Sequence, residues 1–387
     1  MSEQTTQQPT QAASGALDLG SDRRADVEIK QAQIRRLLED AGREGLLLLD
    51  ADNVAWFTSG AQPRGILDPA AAPAVFCSAE GRWIICSNVD SLRLFDEDLD
   101  GLGFQLKEWP WHWGREQFLG DLCHNRKILC DFPPGVEGDV QQVGPELSKL
   151  RRVLTEYEQA CLIALGQTIA HALEATCRTL ARKESEREVA GQLSHRLMHR
   201  GVQPVHVAVA ADGRSRSYRR HTFTPTSIDQ YAVLTATGRK YGLCVTASRS
   251  VCFGEAPEEL KSGHSAVCRV TASYLASTWP DAVPREILTA GRRIYTISGF
   301  EHEWLLAPQG HLTGRVPVEL QLTPQTTDLL EPGWALTWSA SAGPAISCDT
   351  YLVTDKGPKS VTPPEVWPLK RIKIQGAECI RPDVLVR

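Results

Sequence analysis

Residues Tyr231 to Gly254 read YAVLTATGRKYGLCVTASRSVCFG. Apolar Val233 and Leu234 precede Thr237-Gly238, and a second apolar run extends from Leu243 to Phe253. Two such runs joined by a glycine-bearing turn read as a β-hairpin. What the hairpin carries decides the chemistry. It holds no carboxylate, and threonines stand on both strands, Thr235 on the first and Thr246 on the second.

The hairpin resembles the D-x-G-x-x-x-x-G-Y-x-x-D-x-T-R-T segment of the creatinase, aminopeptidase P, prolidase and methionine aminopeptidase family, the pita-bread fold. Gly242, Ser248, Arg249, Ser250 and Gly254 fall on that frame. Farther along, QGHLTG (Gln309 to Gly314) followed by Glu319 resembles the family's GHGIG…HE segment. Leu329 to Thr362 resembles its last pair of strands. The three matches come in the family's order. In that family two Asp of the hairpin, one His and two Glu hold two metal ions. The resemblance carries those positions to Thr235, Thr246, His311, Ser339 and Cys348, of which only the histidine is a retained ligand. Two divalent ions bring four positive charges that the family meets with four carboxylates. Uncompensated buried ions cost several kcal/mol each even after relaxation. The expectation is therefore a degenerate metal site, with no metal and no cofactor.

The 387-residue chain is 42% hydrophobic and 23% charged, ordinary for a globular protein large enough for two domains. A formal charge of −5 argues against a nucleic-acid footprint spread over the whole surface. Eleven cysteines form no C-x-x-C spacing, which favours reduced thiols and a cytoplasmic setting. The polar amino terminus lacks the apolar segment of a signal peptide, and no later apolar run approaches a membrane span.

The fold class expected is α/β (α+β): a disordered tail over residues 1–25, a creatinase-like amino-terminal domain over 26–134, a linker over 135–144 and a pita-bread domain over 145–387. Helical spacing from Ala25 toward Gly45 leads into the strand LLLLD, and further strands are expected at Ala74–Ser78, Trp83–Ser87, Phe104–Trp109 and Lys127–Phe132. The order helix, buried strand, then N-V-x-x-x-T-G turn resembles the opening of the family's amino-terminal domain. Leu147, Leu150, Leu154, Tyr157, Cys161, Leu165, Ile169, Leu173 and Cys177 predict one long helix from Glu146 to about Leu180. Ser185 and Glu188 fit a capping box for the next helix, which Gly201 ends.

Candidate chemistry gathers at four places. Arg214, Arg216, Arg219 and Arg220 crowd the loop before His221, which reads either as an anion site beside a low-pKa imidazole or as a solvated loop. The resemblance places His221 where creatinase, a metal-free member of the fold, has its acid–base histidine; a packed or surface histidine is the alternative. His311 and Glu319 are candidate assistants, and Arg219, Arg220, Arg249 and Asp349 are candidate substrate contacts, with structural ion pairs as the competing reading of the carboxylates and of Arg249. Cys348 faces the cleft if it replaces a ligand glutamate, and the Trp109–Trp113 stretch WPWHW is either core or a lid.

Three functions follow as expectations. The first is a metal-independent hydrolase of a small C–N substrate bearing an anionic group, with His221 as base and His311 and Glu319 assisting. The second is a non-catalytic protein binding a small molecule or short peptide, as the pita-bread domain of a histone-chaperone subunit does. The third, which family assignment alone suggests, is an Xaa-Pro metallopeptidase. The resemblance implies a homodimer; no nucleic-acid or membrane partner is expected.

Overall fold

The computed structural model describes residues 21–61, 72–135, 137–374 and 376–387. The amino-terminal part runs α1 (Ser21–Ala41), β1 (Gly45–Leu48), α2 (Ala51–Phe57), β2 (Ala74–Ser78), β3 (Arg82–Ser87), a single turn α3 (Ser91–Arg93), β4 (Gln105–Trp109), α4 (Arg115–Cys123), β5 (Lys127–Cys130) and β6 (Asp139–Gln142). Its six strands form one mixed sheet in the order β4-β3-β2-β1-β5-β6. β1 is buried along its whole length because both sheet faces are covered, by α1 and α2 on one side and α4 on the other. Three expectations change here. Helix α1 already begins at Ser21, so residues 21–25 are helical, and the rest of the expected tail lies outside the described residues. The expected linker holds β6, an edge strand paired in parallel with β5. The WPWHW stretch divides, with Trp109 in the core and Trp111 and Trp113 exposed.

The remainder runs α5 (Gly144–Leu150), α6 (Glu156–Thr179), α7 (Glu186–His199), β7 (Gln203–Ala211), a single turn α8 (Arg214–Ser217), β8 (Tyr231–Lys240), β9 (Leu243–Cys252), α9 (Glu258–Ala276), α10 (Pro284–Ile297), β10 (Gly310–Thr313), β11 (Leu320–Gln321), β12 (Ala335–Ala342), β13 (Ala345–Thr354), β14 (Gly357–Ser360), β15 (Leu369–Ile374), β16 (Ala377–Pro382) and β17 (Leu385–Val386). The long helix expected from Glu146 to Leu180 is broken between Leu150 and Glu156. Thr155 ends the irregular segment with a reciprocal capping box to Glu158, which satisfies amide donors that a continuous helix would have used internally. The Ser185–Glu188 box starts α7 as its spacing predicts.

The hairpin forms, and its turn falls at Tyr241-Gly242, both with positive φ (55° and 66°), rather than at Thr237-Gly238. Two consecutive left-handed residues match the twist of the flanking strands. A Cβ on Gly242 would also come within 2.7 Å of the Arg315 guanidinium, so this glycine is required twice over.

The strands after α7 make a four-stranded sheet, β17-β9-β8-β7, a five-stranded one, β11-β10-β12-β13-β14, and the antiparallel pair β15-β16. Alternation along them separates two environments. Ala232, Leu234 and Ala236 of β8 and Val245, Ala247 and Val251 of β9 pack under α6 and α7. Leu336, Trp338 and Ala340 of β12, with Ala345, Tyr351 and Val353 of β13, pack under α9 and α10. The intervening residues form the inner faces, and β9 and β13 bring the two sheets together there.

Candidate functional site

The inner faces carry hydroxyls where the outer faces carry aliphatic groups. Thr235 and Thr237 on β8 share a face with Thr246 and Ser248 on β9, because directly paired residues of antiparallel strands point the same way. Thr337 and Ser339 on β12 likewise share a face with Thr350 and Cys348 on β13, and His311 on β10 lies opposite Thr337. All five positions Thr235, Thr246, His311, Ser339 and Cys348 thus fall on inner faces.

These groups bond mainly to one another and to the backbone. Thr237 Oγ1 and Thr246 Oγ1 are 2.9 Å apart, as are Thr337 Oγ1 and Thr350 Oγ1 at 3.0 Å. Thr350 then ties the sheets, its hydroxyl donating to the Thr246 carbonyl (2.9 Å) and accepting from the Thr246 amide (3.2 Å). Ser248 Oγ accepts from the Cys348 amide at 2.8 Å. Burial pushes the Cys348 thiol up to about 12, so it is neutral near pH 7. Burial also pushes His311 down to about 4, leaving a neutral imidazole there. Thr235, His311 and Ser339 keep partial exposure amid buried neighbours, and these three side chains open the inner face to solvent. Among the described residues, no group of three or more His, Cys, Asp or Glu is placed to hold a metal ion.

His221 is 5% exposed, in the loop after β7. Its Nδ1 lies 3.1 Å from the Tyr218 carbonyl, which fixes the proton on Nδ1 and the lone pair on Nε2. Burial first, and then Arg214 and His206, hold its pKa below the ordinary value. Nε2 is buried and has no partner among the described residues. His206 lies opposite Thr237, which places that imidazole beside the hydroxyl face.

The other candidates are engaged elsewhere. Arg219 Nη2 donates to both oxygens of Glu303 (2.7 and 2.6 Å), Arg214 pairs with Glu186 at 2.7 Å, and Arg216 pairs with Glu259. The expected cluster of free guanidinium groups is therefore largely neutralised by carboxylates distant in sequence, and only the exposed Arg220 has no such partner among the described residues. Glu319, expected to assist catalysis, has a fully buried side chain that accepts from Arg151 (2.8 Å) and from the Arg315 amide (2.9 Å). Arg151 in turn reaches Asn53 Oδ1 at 2.6 Å, so Glu319 fastens the two halves of the chain.

Arg249 and Asp349, expected to contact substrate, have the opposite strand parity to the hydroxyl face and point away from it. Arg249 Nη1 and Asp349 Oδ1 are 2.9 Å apart, Arg381 reaches Asp349 Oδ2 at 2.6 Å, and Glu174 lies 3.3 Å from Arg249. The structure thus brings the five ligand-equivalent positions to one pair of faces and assigns Arg219, Arg249, Asp349 and Glu319 to ion pairs. Sequence reasoning missed Thr237, Thr337 and Thr350, although the alternation T-A-T in β8 and T-W-S in β12 carried the signal.

The sequence pattern of metallopeptidase family M24 matches residues 160–355, half of the chain. The chain belongs to that family, the creatinase and aminopeptidase P group of pita-bread proteins. Among solved structures it is similar to an Xaa-Pro dipeptidase from Bacillus anthracis (18% identity, TM-score 0.75, covering 93% of this chain and 100% of that one). It is similar also to the prolidase from Pyrococcus horikoshii OT3 (16%, TM-score 0.74, 87% and 99%). The N-terminal domain of FACT complex subunit SPT16 from Cicer arietinum matches at 10% identity and TM-score 0.64, covering 90% and 98%. At such identities these likenesses establish the shared fold. No curated protein matches the sequence.

Proposed function

We propose that this chain is a non-catalytic pseudo-peptidase that keeps the peptidase fold and uses its hydroxyl-lined cleft to bind a small molecule or short peptide. The observation that carries this reading is the donor set at the five ligand-equivalent positions. It comprises three hydroxyls, a thiol pushed up to about 12 and an imidazole pushed down to about 4. None is an anion near pH 7. Two adjacent divalent cations would bring four positive charges to a site offering no countercharge, and hard cations prefer carboxylates to hydroxyls. The Thr237–Thr246 hydrogen bond further occupies one of these three hydroxyls. The residues present do not fit the family's metal pair.

Hydroxyls and neutral imidazoles select a ligand by hydrogen bonding, and a peptide offers amides of matching polarity. A metal-independent hydrolase is the second reading, favoured by the unpartnered, lone-pair-bearing Nε2 of His221. It is the weaker of the two because Glu319 and Arg219, the groups that would assist, are held in ion pairs.

Incubation of the purified protein with Xaa-Pro dipeptides, with and without manganese, separates the readings. We expect ligand-dependent thermal stabilisation by at least one dipeptide and no hydrolysis product in either condition. Manganese-dependent hydrolysis would restore the peptidase reading. Hydrolysis unaffected by chelator and abolished in His221→Gln would select the metal-independent enzyme.

A further inference from the structure

A second cluster of reactive side chains lies outside the cleft, on α9 and the C-terminal hairpin. Cys268 and His264 are one helical turn apart on α9, with Sγ 3.4 Å from Nε2. The same Nε2 is 3.1 Å from Asp383 Oδ1, just beyond β16. His264 is 5% exposed and its Nδ1 is buried with no partner among the described residues. Burial alone would lower its pKa, but Cys268 and Asp383 outweigh that and raise it to about 9. Cys379 of β16 packs against Cys268, Ala272 and Ile372. Of the eleven cysteines ten are buried, and Cys379 alone is partly exposed. The molecule therefore pairs an imidazole-contacted interior thiol with the one thiol that solvent reaches.

We propose that Cys268 and Cys379 form a thiol modification site, oxidised by a hydroperoxide to an intramolecular disulfide that fastens the β15–β16 hairpin to α9. Burial raises the Cys379 thiol to about 11, yet Cys379 is the partly exposed cysteine, so its small thiolate fraction meets the peroxide first. It attacks the peroxide O–O bond, becomes a sulfenic acid and releases the alcohol, or water when the oxidant is hydrogen peroxide. Cys268, whose sulfur lies 3.4 Å from His264 Nε2, then attacks the sulfenic sulfur. The S–S bond forms as hydroxide leaves, and hydroxide takes the proton that the Cys268 thiol gives up to become water. Two thiols lose two electrons in all, and the peroxide bond gains them.

His264 acts here as a positioning residue. Its ring, 3.1 Å from Asp383, faces the resolving sulfur at 3.4 Å and stabilises the negative charge that develops there during attack. The remaining buried cysteines lack this arrangement. Cys348 and Cys177 are buried, with no histidine in contact with either sulfur among the described residues.

The test is oxidation of the full-length protein with hydrogen peroxide, alkylation of remaining thiols, and peptide mapping by mass spectrometry without reduction. The expected product is one Cys268–Cys379 cross-linked peptide, reversed by dithiothreitol and absent from Cys379→Ser. In His264→Gln the disulfide forms roughly tenfold more slowly, while initial sulfenic acid labelling at Cys379 keeps its wild-type rate. Wild-type protein alone decides the site, so a variant that fails to fold leaves the test intact. Oxidation confined to Cys379 without the cross-link would overturn the proposal, as would a wild-type rate of disulfide formation in His264→Gln.

Discussion

The cleft and the joint beside it treat charge in opposite ways. At the joint, where α1 meets α6 and the segment after β10, Asp26, Lys30, Glu158 and Arg315 are all at most 1% exposed. Lys30 lies 2.5 Å from Asp26 and 2.8 Å from Glu158, and Arg315 also pairs with Glu158. Thr155 and Ser59 donate to the two oxygens of Asp26, so buried lone pairs are met as well as buried charge. On the inner faces, the positions where the family has carboxylates carry hydroxyls and a thiol. This chain therefore tolerates buried charge where each ion has a protein partner. Under the proposed reading the neutral groups on the inner faces suit a site without metal, where a carboxylate would have no cation to meet.

The largest predicted effect comes from breaking the paired side of this contrast. Asp349→Ala takes the carboxylate from buried Arg381 and leaves Arg249 with Glu174 alone, and is expected to cost about 3–5 kcal/mol in urea unfolding. A loss below about 1 kcal/mol would mean that the network is not a structural one.

Acid titration probes the joint without mutation. Burial pushes Glu158 upward, but Lys30 and Arg315 prevail and hold it at about 2, below its ordinary 4.5. A depressed carboxyl stabilises the fold above its unfolded value, so this contribution is complete above about pH 4.5 and fades as pH falls toward 2. The loss is on the order of 3 kcal/mol, and Glu158→Gln should flatten the stability profile across that window. A second pH-dependent effect is at His311. Its folded pKa of about 4 lies below the ordinary 6.5, so protonation of the unfolded chain withdraws stability as pH falls from about 6.5 to about 4. His311→Gln should remove that slope, an effect of up to about 3 kcal/mol across the window.

Thr246→Asp tests the cleft from the other direction. It puts an unpaired carboxyl at a buried position and removes the hydroxyl that meets Thr237, for an expected loss of about 2–3 kcal/mol. Added manganese should not restore the melting temperature, since the neighbouring positions stay neutral. Removing one hydroxyl without adding charge is milder, and Thr237→Val should cost about 1 kcal/mol.

The parts of this fold legible in the sequence are those set by neighbours along the chain. The Ser185 capping box, the strand Ala74–Ser78 and the β8–β9 hairpin need only local spacing and period-two alternation. The break after Leu150 was hidden because the apolar stripe continues through it, and the cap that ends it depends on the side-chain pairing of Thr155 with Glu158. β6 was hidden because an exposed edge strand needs no apolar pattern. In the site, the family resemblance named five positions that the structure gathers on the inner faces. The roles of Glu319 and Arg219 were not, since their partners lie 168 and 84 residues away. A charged side chain in a sequence does not reveal whether folding will give it a counterion.

Metal content tests the central claim most directly. Protein purified without chelator, loaded with excess manganese and freed of unbound ions should retain well under one ion per chain by elemental analysis, with an unchanged melting temperature. Two retained ions per chain, with a melting temperature that falls on chelation, would contradict the account.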